Sequence, residues 1–150
     1  MCVHSFSLAN IRIEYCSNFA ADTFPVLLEN GQRTGYYQHV RMTKNHWSHA
    51  SVQDVTSPDM RCGGEEPNPT NATVKTVAAG STVGFWVEGG IGHPGPLQFY
   101  MAQAPSGKDL ATWDGSGTVW FKIAGEPPRV DSKGLTWSAQ GGHHVCLQIL

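Results

Sequence analysis

Thr73-Val74-Lys75-Thr76-Val77-Ala78-Ala79-Gly80-Ser81-Thr82-Val83-Gly84-Phe85-Trp86-Val87 contains two alternating runs separated by a short small-residue connector. Residues 73–77 alternate between inward and outward positions, Ala78-Ala79-Gly80-Ser81 turns the chain, and residues 82–87 alternate again. A period of two in β-branched and aromatic residues suits a pleated strand, whereas a helix repeats its apolar positions every three to four residues. The stretch therefore predicts a β-hairpin.

The same reading extends in both directions. Leu97-Gln98-Phe99-Tyr100-Met101-Ala102 and Thr118-Val119-Trp120-Phe121-Lys122-Ile123 are aromatic and β-branched runs bounded by Pro-rich and Gly-rich turns, and His144-Val145-Cys146-Leu147-Gln148-Ile149-Leu150 resembles a further strand. Short strands at this spacing predict an all-β sandwich of five or six strands with one uncovered edge. Residues 31–53 and 62–71 fit no strand pattern and read as long loops, which in a compact domain tend to carry function. The chain has 150 residues, one domain's worth, and its 17 Gly and 9 Pro argue against long helices.

A net charge of -2 and a pI near 6.4 give no electrostatic reason to expect a nucleic acid or an anionic membrane as partner. No run of 18 apolar residues could span a bilayer. Cys2, Cys16, Cys62 and Cys146 lack CxxC spacing, which disfavours a zinc ribbon or thioredoxin-type site and leaves one or two disulfides open. Asn71-Ala72-Thr73 is a glycosylation sequon with meaning only in a secretory context. Residues 1–21 do not read as a signal peptide, because Arg12 and Glu14 interrupt their only apolar stretch.

Seven histidines, at positions 4, 39, 46, 49, 93, 143 and 144, are the main chemical resource. His143 and His144 would point to opposite faces of a strand and so could not share a metal. His46 and His49 flank Trp47 in a polar loop expected to be exposed. His93 stands in Gly89-Gly90-Ile91-Gly92-His93-Pro94-Gly95-Pro96, where glycine and proline fix the backbone and present the imidazole at the rim of the sandwich. The carboxylates Asp54, Asp59, Glu65, Glu66, Asp109, Asp114 and Glu126 sit in polar or Gly-rich contexts, and no acid and base pair for glycoside hydrolysis stands out among them.

Several strings taken together resemble one family, the fungal lytic polysaccharide monooxygenases of auxiliary activity family 9, formerly glycoside hydrolase family 61. They are Thr23-Phe24-Pro25, Asn30-Gly31, Asp54-Val55-Thr56-Ser57-Pro58-Asp59-Met60-Arg61-Cys62, Ala79-Gly80-Ser81-Thr82-Val83-Gly84-Phe85, His93-Pro94-Gly95-Pro96-Leu97-Gln98-Phe99-Tyr100-Met101-Ala102, Asp114-Gly115-Ser116-Gly117-Thr118-Val119-Trp120-Phe121-Lys122-Ile123 and Gly134-Leu135-Thr136-Trp137. Their order and spacing span residues 22–145. The resemblance implies an immunoglobulin/fibronectin-III-like β-sandwich, secreted and monomeric, with one copper ion on a flat face that lies against cellulose or another β-glucan. It also implies oxidation at C1 or C4 by copper with an external reductant and dioxygen or hydrogen peroxide. In the family copper sits in a histidine brace, formed by the amino group and imidazole of an N-terminal His plus a second imidazole, a T-shaped set suited to Cu(II). His93 falls on that second ligand. Tyr36, Tyr37 and Trp47 lie in a loop resembling the family's early variable loop, and their rings are the candidates for stacking on sugar.

Two departures shape the remaining expectations. Ala21 occupies the place of the N-terminal His, and residues 5–20 have no counterpart in the family, so residues 1–21 are set apart as an anomalous segment and residues 22–150 as a partial domain. Family members continue past the position of Leu150 through a second-shell His and Gln, an axial Tyr, and the cysteine that pairs with the equivalent of Cys62; whether Cys16 or Cys146 substitutes is left open. The chain as written is therefore expected to be inactive or barely active. The alternatives are a non-catalytic polysaccharide-binding or remnant sandwich, and a misread first exon with an early stop.

Overall fold

The computed structural model describes residues 22–43, 46–61 and 72–148, together with the strand backbone of residues 2–6 and 11–16. Its strands are β1 (Cys2–Phe6), β2 (Ile11–Cys16), β3 (Val26–Glu29), β4 (Gln32–Arg33), β5 (Thr82–Trp86), β6 (Leu97–Gln103), β7 (Trp120–Glu126), β8 (Arg129–Asp131), β9 (Gly134–Thr136) and β10 (His144–Gln148). One four-stranded sheet runs β1-β2-β6-β7 and a second β10-β5-β3-β4, while β8 and β9 form a separate ribbon. Every pairing is antiparallel. The only helix among the described residues is a single 3-10 turn, Pro58–Met60.

Alternation explains how the two larger sheets close on each other. Leu97, Phe99 and Met101 of β6 are buried, and so are Leu27, Val83, Phe85 and Val145 of the other sheet; they form one cluster with Phe24, Val40, Val77, Val87 and Ile91. Phe85 and Phe99 stack across the interface with ring centroids 6.4 Å apart. Leu27, Phe85 and Val145 stand opposite one another across β3, β5 and β10, so one row of side chains faces the core. Burial of each of these side chains contributes about 1.5–3 kcal/mol to folding. The register of β6 and β7 steps from Phe99↔Ala124 to Tyr100↔Lys122, which leaves Ile123 as the extra residue of a bulge packed against the core. This is the all-β sandwich that the sequence predicts.

The hairpin prediction holds for one arm only. Residues 79–80 turn the chain and β5 follows, but residues 73–77 carry no strand beyond a single bridge at Lys75. Both edges of β5 are already taken, by β3 and β10, so no pairing edge remains for the preceding segment. That segment instead packs through side chains: Val77 enters the core, Lys75 pairs with Glu29 at 2.9 Å, and the Thr73 N–H donates to Gln38 O at 2.8 Å.

Among the described residues ten strands stand where five or six are expected. Residues 32–33, read as loop, form β4, because Asn30 (φ 48°) and Gly31 (φ 79°) make the two-residue left-handed turn that an Asn-Gly pair favours. In the segment set apart by sequence, the backbone of β2 pairs with β6 from Ile11↔Gln103 to Cys16↔Gln98. The loop at 62–71, with Cys62, Glu65, Glu66 and the sequon asparagine, lies outside the described residues.

A second, smaller cluster joins Ala102, Ala104, Leu110 and Trp113 with Val74, Val119 and Trp120. Trp113 and Trp120 stack at 6.1 Å, nearly parallel. Arg41 ties this cluster to the early loop, its guanidinium donating to the carbonyls of Trp113, Leu110 and Ala111 at 2.9–3.0 Å.

Candidate functional site

The pairing of β3 with β5 continues beyond the strand ends, where Glu88 N donates to Thr23 O at 3.0 Å. This carries Asp22 alongside residues 88–93. The loop that follows turns at Gly89 and Gly90, both at positive φ, and is pinned by buried Ile91, whose N–H donates to Gly142 O while its carbonyl accepts from Gly141 N. Two neighbouring strands thus converge on His93.

His93 is half-buried, and its Nε2 lies 3.1 Å from Asp22 Oδ2. Both atoms are fully enclosed and neither has a hydrogen-bond partner. His93 Nδ1 faces Pro94 O at 3.3 Å, and Asp22 Oδ1 accepts from Gly92 N at 3.5 Å. Burial pushes the Asp22 carboxyl above its ordinary value, opposed by the pull of His93, the Gly92 N–H and His49. Asp22 is the residue that sequence reasoning missed; a lone carboxylate next to Ala21 and the Thr-Phe-Pro string was the available signal.

A cleft of about 500 Å³, which reaches the chain neighbour of Asp22, is lined by Thr23, Tyr36, Tyr37, His46, Trp47, His49, Glu88 and Gly89. It brings together all three aromatic candidates, with Tyr36 58% and Trp47 82% exposed. Tyr37 is half-buried, and burial with the nearby Glu88 and Tyr36 pushes its phenol up to about 12. Its backbone at φ 52° is held by a 2.7 Å bond from its N–H to Pro25 O.

His46 departs from expectation. It is 6% exposed, not a residue of an open polar loop, because Nδ1 donates to Thr43 O at 2.7 Å and the ring packs against Trp47 at 4.2 Å and Tyr37 at 5.8 Å. Its Nε2 is enclosed without a hydrogen-bond partner. The buried imidazole therefore serves as the floor on which Trp47 and Tyr37 rest. His49 is exposed, as read, while His39 is buried and faces Thr73 O at 3.0 Å. His143 and His144 are both exposed, the first stacked on Trp86 and the second on β10.

The remaining candidates play local parts. Asp54, Asp109 and Asp114 accept backbone N–H groups two residues ahead, from Thr56, Ala111 and Ser116, so they shape turns. Glu126 accepts from Ser138. Cys146 is a free, exposed thiol, which removes it as a substitute partner for Cys62.

The donors in place do not fit a three-nitrogen brace. Among the described residues no group of three or more His, Cys, Asp or Glu side chains could hold a metal. Ala21 has no imidazole. What converges instead is one imidazole nitrogen and one carboxylate oxygen.

Comparison with known proteins agrees with this architecture. The chain is 54% identical over 127 residues to lytic polysaccharide monooxygenase H of Malbranchea cinnamomea, covering 85% of this chain and 55% of the relative. It is 46% identical over 128 residues to lytic polysaccharide monooxygenase A of Thermothielavioides terrestris, covering 85% and 55%, and 40% identical over 141 residues to lytic polysaccharide monooxygenase C of Emericella nidulans, covering 93% and 59%. The chain thus spans between half and three-fifths of the length of these relatives. The model of Auxiliary Activity family 9 (formerly GH61) matches residues 22–148, from the first residue of the Asp22–His93 pair to the end of β10, and the chain belongs to that family.

Proposed function

We propose that this chain takes part in copper-dependent oxidative cleavage of cellulose or a related β-1,4-glucan, in the extracellular setting of its family, with His93 as the metal-ligating side chain it contributes. The observation that carries the reading is the common location of the aromatic cleft and His93. Thr23 and His49 line the cleft, Asp22 is the neighbour of Thr23 and feels the charge of His49, and Asp22 touches His93. A sugar held in the cleft would therefore lie next to the metal residue.

The chain's own groups suit such a sugar. The exposed faces of Tyr36 and Trp47 stack on the apolar faces of pyranose rings, and His46 beneath Trp47 fixes the orientation of that platform. Glu88 accepts sugar hydroxyls, and the Tyr37 phenol stays neutral at working pH, able to donate to a sugar oxygen. Oxidation by bound copper, fed by a reductant with dioxygen or hydrogen peroxide, belongs to the family's chemistry; no step of it is assigned to the two-donor pair.

A second reading, a polysaccharide-binding sandwich without turnover, is favoured by the donor set at His93. Incubating the purified chain with amorphous cellulose, Cu(II) and a reductant separates the two. Retention on cellulose that falls several-fold in Trp47→Ala and holds in Val130→Ser, with oxidised cello-oligosaccharides at background, supports binding without turnover by these 150 residues. Copper- and reductant-dependent release of oxidised oligosaccharides establishes the full activity and contradicts the second reading. Retention indifferent to Trp47→Ala contradicts the placement of the sugar in both.

A further inference from the structure

A groove of about 380 Å³ lies where β6 begins and β7 ends, and it shares no lining residue with the aromatic cleft. Its volume falls in the range of small-molecule sites, roughly 300–1,000 Å³. Gln98 of β6 stands opposite Gly125 of β7 in the ladder. Lys122 folds back onto the same glycine, since a Cβ at position 125 would come 2.8 Å from its Cε and 2.9 Å from its Nζ. The bulge at Ile123 sets this arrangement. Tyr100↔Lys122 and Gln98↔Gly125 are two residues apart along β6 but three apart along β7, so Lys122 and Gly125 fall on the face that carries Gln98.

The polar atoms gathered there have capacity to spare. Lys122 enters no ion pair among the described residues. Gln98 Oε1 accepts from the Tyr100 hydroxyl at 2.9 Å, which leaves the amide NH2 to donate. An ammonium and a carboxamide NH2 over one glycine offer donors only, the complement of a carboxylate. Glu126 supplies the opposite character: Oε2 accepts from Ser138 Oγ at 2.7 Å, and Oε1 is left to accept from a ligand hydroxyl. The walls are Pro96, Pro127 and Pro128, with no aromatic side chain in the lining. A sugar platform is built from aromatic rings, as in the cleft of Tyr36 and Trp47, whereas pyrrolidine rings pack against aromatic rings of a partner.

We propose that this groove binds a small hydroxylated aromatic carboxylate. The carboxylate lies on Lys122 Nζ and the Gln98 amide, the ring packs against the prolines, and the hydroxyl donates to Glu126 Oε1. The site is independent of His93 and of the glucan cleft.

Titration calorimetry of the purified 150-residue chain with 4-hydroxybenzoate tests this directly. One site per chain is expected, weakened at least about tenfold by Lys122→Met, which removes a charge-assisted hydrogen bond. Gly125→Ala keeps the charge but displaces the ammonium and should weaken binding several-fold, while Lys133→Met in the exposed β8–β9 turn should leave it unchanged. Two further probes separate the parts of the ligand: 4-hydroxybenzyl alcohol, which lacks the carboxylate, and glucuronate, which lacks the aromatic ring, should each bind at least about tenfold more weakly. Should a variant fail to fold by near-ultraviolet circular dichroism, amide shifts of the unsubstituted chain decide, with changes expected at Gln98, Lys122, Gly125 and Glu126. No binding at millimolar 4-hydroxybenzoate, shifts centred elsewhere, or equal loss in Lys122→Met and Lys133→Met overturns the site. Glucuronate bound as tightly as 4-hydroxybenzoate overturns the aromatic ligand.

Discussion

At the scale of single residues, the positions that matter most are those where chemistry and backbone coincide. His93 stood out in sequence because glycine and proline on both sides mark a shaped turn, and the structure holds it half-buried against Asp22. Asp22 was not legible, since its partner lies 71 positions away and only the pairing of β3 with β5 brings them together. His46 was misjudged for a related reason: its loop is polar in composition, but burial comes from the ring stack with Tyr37 and Trp47. Gly84 gives a sharp test of packing. A Cβ there would come 2.4 Å from Val145 O and 2.9 Å from Cys146 Sγ, so Gly84→Ala must push β10 from β5 and should destabilise the chain by about 1–3 kcal/mol in urea unfolding. A loss under 0.5 kcal/mol would contradict the register of these strands. Tyr37 provides a pH test. Its folded value of about 12 lies above the unfolded 10, so its contribution to stability is complete below pH 10 and is lost as pH rises through about 12. Spectrophotometric titration near 295 nm should show a late component at about pH 12 that disappears in Tyr37→Phe.

Among the elements, alternation predicted well where one face is buried and the other is not. β6, β5 and β10 follow their sequence runs to within a few residues, and β7 starts two residues later than the run suggests. The failed arm of the hairpin shows the limit of this signal: alternation records which side chains point inward, but not whether a sheet edge is free to receive the backbone. The Asn30-Gly31 turn shows the reverse, a local signal sufficient for β4 that was absorbed into a loop. The connection between the early loop and the 109–113 turn depends on Arg41. Its planar guanidinium serves three carbonyls at once, which a lysine ammonium on a flexible stem cannot match in geometry. Arg41→Lys should therefore cost about 1–3 kcal/mol in denaturant unfolding and loosen Trp113 against Trp120, seen as a change in near-ultraviolet circular dichroism. Equal stability and an unchanged aromatic signal would show that the clamp is dispensable.

For the whole molecule, the fold follows from two sheets that each bury one face, and the family follows from the order of motifs strung along them. Neither depended on which side chains meet at the site, which is why the family was readable from sequence while the contact of Asp22 with His93 was not. The exposed thiol of Cys146 on edge strand β10 should react with iodoacetamide in the native chain, and protection of that thiol would mean a pairing that the structure does not have. The account's central claim joins two features on one face, a metal residue at His93 and a glucan cleft beside it. Paramagnetic broadening by Cu(II) in a sample containing cellohexaose measures both together. The account predicts selective loss of the amide signals of Asp22, Thr23, Gly92 and His93, with broadening of the bound sugar protons that vanishes in Trp47→Ala. Broadening centred on another histidine, or sugar resonances that stay sharp while the oligosaccharide is bound, would contradict it.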